Sequence, residues 1–168
     1  MLRPLAALAC LIGCAWSAHA APVTDSPAAQ AEAKRALERP PIVVRGQPKH
    51  PDHSGRRVRG KASVYHPRFT GRRMADENRY NPKSNAAASK ILPLGTDARV
   101  TNLDNGRSAN VKVEDRGPYV DGRVVDLSSA TAADLGITRK QGVAPVEVAP
   151  ITVPQPDGSV KAGAGAAR

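Results

Sequence analysis

Five short runs are of β type: Ala62–Tyr65, Ala98–Thr101, Ala109–Val113, Arg123–Leu127 and Val143–Val148, with apolar and polar positions alternating in the second and third. A period of two predicts half-buried β-strands, and turn residues separate the runs. Asp104-Asn105-Gly106 lies between two of them and has the chemistry of a tight hairpin, because Asn and Gly tolerate positive φ. Ser128 is placed to cap a short helix from Ser129 to Leu135, and Gly136 marks its end where a left-handed residue is needed. Five or six strands, one short helix and long loops predict a small closed barrel rather than a sandwich.

The flanks lack this pattern. From Pro22 to about Gly60 the chain is rich in Ala, Pro, Lys and Arg, and offers too few large apolar residues for a core. Ala28 to Leu37 has helical composition without an apolar face to bury, so residues 21–57 are expected to be a disordered linker. Residues 153–168 are expected to be a disordered tail, leaving 58–152 as the folded domain. Residues 1–20 have the order of a secretory signal: Arg3, an apolar run from Leu5 to Trp16, then Ala18-His19-Ala20. Leu11-Ile12-Gly13-Cys14 is also a lipobox-like stretch, so cleavage after Ala20 competes with lipidation of Cys14. Either route implies export to the cell envelope, with no integral span.

Composition narrows the chemistry. Of 168 residues only Cys10 and Cys14 are cysteines, so a mature chain cut after Ala20 has no disulfide and depends on packing. The histidines (His19, His50, His53 and His66) are scattered, and His50-x-x-His53 sits in a Pro-rich stretch, so no metal is expected. A net charge of +10 suits an acidic polymer, an anionic membrane or nucleic acid, and export argues against the last.

Four blocks then stand in order: Gly60-Lys-Ala-Ser-Val-Tyr65; Gly71-Arg-Arg-Met-Ala75; Leu92-Pro-Leu-Gly-Thr96; and Glu114-Asp-Arg-Gly-Pro-Tyr119 with Gly122-Arg-Val-Val-Asp-Leu-Ser128. Their order and spacing resemble the rare lipoprotein A family of cell-envelope lytic transglycosylases, over about residues 58 to 152. The resemblance implies a six-stranded double-psi β-barrel, mainly β with one or two short helices, related to the expansins. It also implies a reaction that needs no cofactor. An acid protonates the glycosidic oxygen between N-acetylmuramic acid and N-acetylglucosamine, and the muramyl C6 hydroxyl closes a 1,6-anhydro ring in place of water.

The family pattern Gly-Arg-Arg-Thr-Ala-Asn-Gly-Glu-Arg-Phe-Asp, aligned from Gly71, puts its Glu on Asn78 and its Asp on Asn81, and the family histidine falls on Ser89. An amide does not exchange a proton near neutral pH, and a lone Ser is no substitute for imidazole. Asp115 survives as the first catalytic candidate. Glu77, one position ahead of the lost Glu, and Asp126, in an Asp-Leu-Ser sequence shared with expansins, are further carboxylates. The aromatic faces of Tyr65, Tyr80 and Tyr119, the imidazole of His66, and the guanidinium forks of Arg72, Arg73, Arg79 and Arg116 are candidates for binding a glycan and its carboxylates. For each aromatic the alternative is plain core packing, and for each Arg a solvated face.

Three functional readings remain open from sequence. One is an endolytic peptidoglycan lytic transglycosylase with an altered site. Another is an inactive, expansin-like module that binds or loosens peptidoglycan. The third is an envelope scaffold for a protein partner. The chain is expected to act as a monomer, and no septum-targeting SPOR segment is expected after the barrel motifs.

Overall fold

A computed structural model describes residues 24–43, 48 and 50–167. The signal-like segment with Cys10, Cys14 and His19 lies outside the described residues. Strand β2 (Val58–Val64) is the seam of the architecture: it runs antiparallel to β7 (Val143–Pro154) on one side and parallel to β6 (Arg123–Leu127) on the other. From β6 the pairing continues antiparallel to β3 (Ala86–Ala88), parallel to β5 (Ser108–Asp115), and antiparallel to β4 (Asp97–Asn102), which pairs back onto β7. Six strands thus close a barrel, as the sequence reading expected, and two of its strand pairs are parallel. Closure leaves no free edge among these six.

The interior follows the period of two. Ala98, Val100 and Asn102 of β4, Val111 and Val113 of β5, and Ala144, Val146 and Val148 of β7 point inward and are buried. The apolar ones meet Val58, Ala62, Val125 and Leu127 in one cluster. Small and β-branched side chains fit the narrow lumen, and burying each Val is worth roughly 1.5–3 kcal/mol.

The hairpin expected at Asp104-Asn105-Gly106 joins β4 to β5. Gly106 has φ 73°, its N–H donates to the Asn102 carbonyl at 2.8 Å, and Asn102 Oδ1 accepts from the Asp104 N–H at 3.0 Å. Helix α2 (Ser129–Asp134) starts at Ser128, whose Oγ accepts from the Thr131 N–H at 3.2 Å. The Asn102 and Asn105 side-chain amides both donate to the Leu135 carbonyl at 3.0 Å, so the hairpin caps the end of this helix. Strand β3 escaped the sequence reading because Ala86-Ala87-Ala88 is fully buried and shows no alternation.

Both flanks depart from the expectation of a linker and a tail. Pro27–Glu38 forms helix α1, with Ser26 as its cap, and β1 (Ile42–Val43) pairs parallel with the start of β2. At the other end β8 (Val160–Ala162) pairs with β7, followed by a 3-10 turn over Ala164–Ala166. Helix α1 does have a face to bury. Ala29 and Ala33 pack against Ala162 and Ala166, and the small residues bring two backbones close. A Cβ on Gly163 or Gly165 would lie 2.4 Å from the carbonyl oxygens of Pro150 or Ala149. Methyl-sized contacts carry no large-residue signal, which is why composition alone suggested disorder.

Candidate functional site

The carboxylates gather where four strands end side by side. Ala88 of β3 pairs with Asp126 of β6 on one side and with Asp115 of β5 on the other, and Ser63 of β2 pairs with Asp126. Two strand spacings place the Asp115 and Asp126 backbones roughly 10 Å apart. The bulges that shift register at Ala87/Ala88 and at Lys61/Ala62 lie beside these residues. Bulges of this kind re-aim side chains at a sheet end.

Asp115 accepts three hydrogen bonds. Its Oδ2 takes the Tyr65 hydroxyl at 2.8 Å, and its Oδ1 takes the N–H of Ala75 at 3.0 Å and of Arg116 at 2.8 Å. Asp126 is partly buried, and its Oδ1 accepts from the Ser63 hydroxyl. Burial raises the Asp126 pKa above the ordinary aspartate value, and the charge of Asp115 adds to the rise; Ser63 and Arg123 oppose it. Burial, the bond to Asp115 and both carboxylate charges push the Tyr65 phenol far upward, so it stays a donor. Gly117, with φ 131°, lies between Asp126 and Tyr119: a Cβ there would stand 3.8 Å from Asp126 Oδ2 and 3.9 Å from the Tyr119 ring.

The aromatic candidates divide. Tyr80 is 3% exposed and packs with Met74 and Ala86, so it is core and not a sugar platform. Burial raises its pKa, and its hydroxyl lies beside Ser129 without a hydrogen bond of ordinary geometry. Tyr65 is half-buried, its ring 4.5 Å from Tyr80 and 6.0 Å from Phe69. Tyr119 is 70% exposed and offers a bare face beside Gly117.

The altered positions are structurally distinct from one another. Ser89 is buried at 1% exposure; its Oγ donates to the Val124 carbonyl at 3.1 Å and accepts from the N–H groups of Ile91 and Leu92 at 3.2 Å. It holds a turn and presents nothing to a ligand. Asn81 is exposed and accepts from the Lys83 N–H at 2.9 Å, which makes it a turn residue. Asn78 is also exposed, and its amide donates to Asp76 Oδ2 at 2.8 Å.

Glu77 does not supply a replacement carboxylate in this geometry. It stands at φ 72°, where the family pattern has Gly, and its side chain is exposed with no hydrogen bond or ion pair to the carboxylate cluster. Sequence reasoning missed Asp76 and Glu114 instead. The Asp76 N–H donates to the Glu114 carbonyl at 3.0 Å, and burial together with the Asp76 charge raises the Glu114 pKa, with Lys112 opposing. The signal for them was their place beside Asn78 and Asp115.

Among the arginines, Arg116 turns inward. Its Nη1 donates to the carbonyls of Leu92 at 2.7 Å and Ser89 at 3.2 Å, so this arm of its fork holds backbone. Arg79 donates to the Gly71 carbonyl at 2.8 Å and bridges to Arg73, whose side chain is exposed, and Arg72 lies over the Phe69 ring at 5.7 Å. These three form a basic rim. On the other side of Tyr65 a cavity of about 330 Å³ opens between Val64, His66, Pro67, Arg139 and Gly142. Among the described residues no group of three His, Cys, Asp or Glu is placed to hold a metal, and no helix is long and apolar enough to cross a membrane.

Comparison with known proteins accords with this geometry. A sequence model of the lytic transglycolase family matches residues 57–148. A probable endolytic peptidoglycan transglycosylase RlpA of Synechocystis is 50% identical over 78 residues, covering 46% of this chain and 24% of that protein. Its Aquifex aeolicus counterpart is 51% identical over 90 residues, covering 54% and 39%. The endolytic peptidoglycan transglycosylase RlpA of Pseudomonas aeruginosa is 38% identical over 143 residues, covering 76% and 42%. The chain therefore spans less than half the length of each of these relatives.

Proposed function

The chain belongs to the lytic transglycolase family, and from that premise we propose that its barrel cleaves peptidoglycan glycan strands without water, leaving 1,6-anhydromuramyl ends. The observation that carries this reading is the unequal carboxyl pair: Asp126 half-buried with a raised pKa, and Asp115 engaged as an acceptor on both oxygens. Two carboxyl groups in environments that differ in this way are the usual basis for dividing acid and charge-stabilising roles.

In the proposed reaction Asp126 gives its proton to the glycosidic oxygen as the bond to the muramyl anomeric carbon breaks. Positive charge grows on that carbon, and the negative Asp115 stabilises it, fixed by Tyr65 and two backbone N–H groups. The muramyl C6 oxygen then bonds to the anomeric carbon, and its proton goes to the Asp126 carboxylate. The acid is restored, and neither water nor a cofactor enters the balance. Tyr119 provides a face for a sugar ring, and the Arg72, Arg73 and Arg79 rim faces the acidic polymer. Asn78, Asn81 and Ser89 take no proton-transfer part, so this site works through the strand-end pair rather than through the loop.

Relatives named as peptidoglycan transglycosylases support the substrate class, and the leader-like first 20 residues support action in the cell envelope, with Cys14 as a lipid anchor or Ala20 as the cleavage point. Purified protein incubated with insoluble peptidoglycan, with products read by mass spectrometry, tests the reading. Anhydromuramyl products are expected and should vanish in Asp126→Asn. Tight binding of the polymer with no such product would instead identify an expansin-like wall-binding module.

A further inference from the structure

The cavity beside Tyr65 lies outside the carboxyl pair, and the reaction above does not use it. One wall is the end of β2 and the residues after it, Val64 to Pro67; the other is the loop before β7, with Arg139 and Gly142. Two of its lining residues, His66 and Arg139, carry hydrogen-bond donors. His66 Nδ1 accepts from the Arg68 N–H at 3.2 Å, and an imidazole that accepts at Nδ1 carries its proton on Nε2. Arg139 is exposed and has no hydrogen bond or ion pair among the described residues, and its charge reaches the Tyr80 hydroxyl. No acidic side chain lines the cavity. The remaining wall, from Val64, Pro67 and Tyr65, is largely apolar.

An apolar wall with a guanidinium fork and an imidazole N–H fits a carboxylate carried on a short apolar stem. Arg presents paired donors that match carboxylate geometry, and a partly enclosed site strengthens such a bond. The chain itself links this cavity to the reacting pair. Ser63 bonds Asp126, Tyr65 bonds Asp115, and His66 follows directly, so about 10 Å of extended backbone spans from the acid to the donor. We propose that the His66–Arg139 cavity is a carboxylate-binding subsite of the glycan groove, seating an acidic substituent of the polymer while Asp126 meets the scissile bond. The proposal rests on the wall-glycan reading above. Two sources offer the same chemistry: the lactyl carboxylate of a peptide-free muramyl residue, or a carboxylate of a stem peptide.

The test is calorimetric binding of three soluble probes to the intact protein carrying Asp126→Asn, which blocks turnover. The probes are peptide-free peptidoglycan oligosaccharide, the same oligosaccharide with stem peptides, and chitohexaose, which has no carboxylate. The subsite predicts that at least one carboxylate-bearing probe binds roughly tenfold tighter than chitohexaose, the scale of one charge-assisted hydrogen bond. Arg139→Gln should erase that ratio and leave chitohexaose affinity unchanged. Arg139→Lys should retain part of it, because the charge persists without the fork. Whichever probe shows the preference identifies the source of the carboxylate. Equal binding of all three probes, or a ratio that survives Arg139→Gln, overturns the subsite while the wall-glycan reading stands. Failure of every probe to bind, with no product from peptidoglycan, overturns both.

Discussion

The Tyr65 hydroxyl donates to Asp115 Oδ2 at 2.8 Å, while its ring lies 4.5 Å from that of Tyr80. This couples the strand-end carboxylate to the aromatic cluster beneath the loop at 66–81. Loss of the hydroxyl leaves the ring packing in place but removes one of three donors from a charged acceptor. Tyr65→Phe is therefore expected to lower stability by about 1.5–3 kcal/mol, measured by denaturant unfolding, and to slow formation of anhydro products.

Asp126 has opposite consequences for stability and turnover. Its pKa in the folded protein is raised above the ordinary value of 3.8, so the native state holds its proton more tightly than the unfolded chain. The stability it contributes is full below that ordinary value and is lost as pH rises through the raised one. Asp126→Asn keeps an acceptor for Ser63 and has no charge to desolvate. The variant should be more stable than the parent at neutral pH, with the gain shrinking toward pH 4 in a thermal-melt series. Its turnover should fall by about 10²–10⁴-fold, the usual worth of general acid catalysis.

Glu77 sits at φ 72° with its side chain in solvent, where glycine avoids the clash between Cβ and the carbonyl oxygen. Glu77→Gly is expected to stabilise the protein by about 1 kcal/mol and to leave turnover unchanged. A drop in turnover would give Glu77 a chemical role that its position in the structure does not supply.

Restoring the family residues at Asn78 and Ser89 should have unequal results. Asn78→Glu is exposed and should fold normally. Ser89→His forces a large ring into a site with 1% exposure and removes three hydrogen bonds, at a cost of about 3 kcal/mol or more. Circular dichroism melts of the two single variants would separate them. A stable Ser89→His protein that cleaves faster would show that position 89 faces the substrate after all.

Helix α1 is held mainly by small residues, with Ala33 fully buried against the 160–166 segment. A charge placed there cannot be solvated without undocking. Ala33→Glu should open the backbone at Lys34 and Arg35 to trypsin and speed cleavage there about tenfold or more, with little change in the melting of the barrel, whose core lies elsewhere.

Alternation in β4 and β5, the β-type runs of β6 and β7, the Asp-Asn-Gly hairpin and the Ser128 cap were legible in the sequence because each depends on neighbours a few residues away. The family motifs likewise marked Asp115 and Asp126 as candidates. Tertiary structure decided what those residues do. Ser89 and Arg116 are polar in sequence, and only the fold reveals that both bond backbone groups. Tyr65, Tyr80 and Tyr119 have the same side chain, yet packing sends them to a hydrogen bond, the core and solvent in turn. The pairing of Asp115 with Asp126 across Ala88, the cavity between His66 and Arg139, and the docking of α1 on the chain's far end all join residues far apart in sequence. Local pattern carries the period of an element, whereas contacts between distant strands depend on how the barrel closes, and no local period encodes that closure.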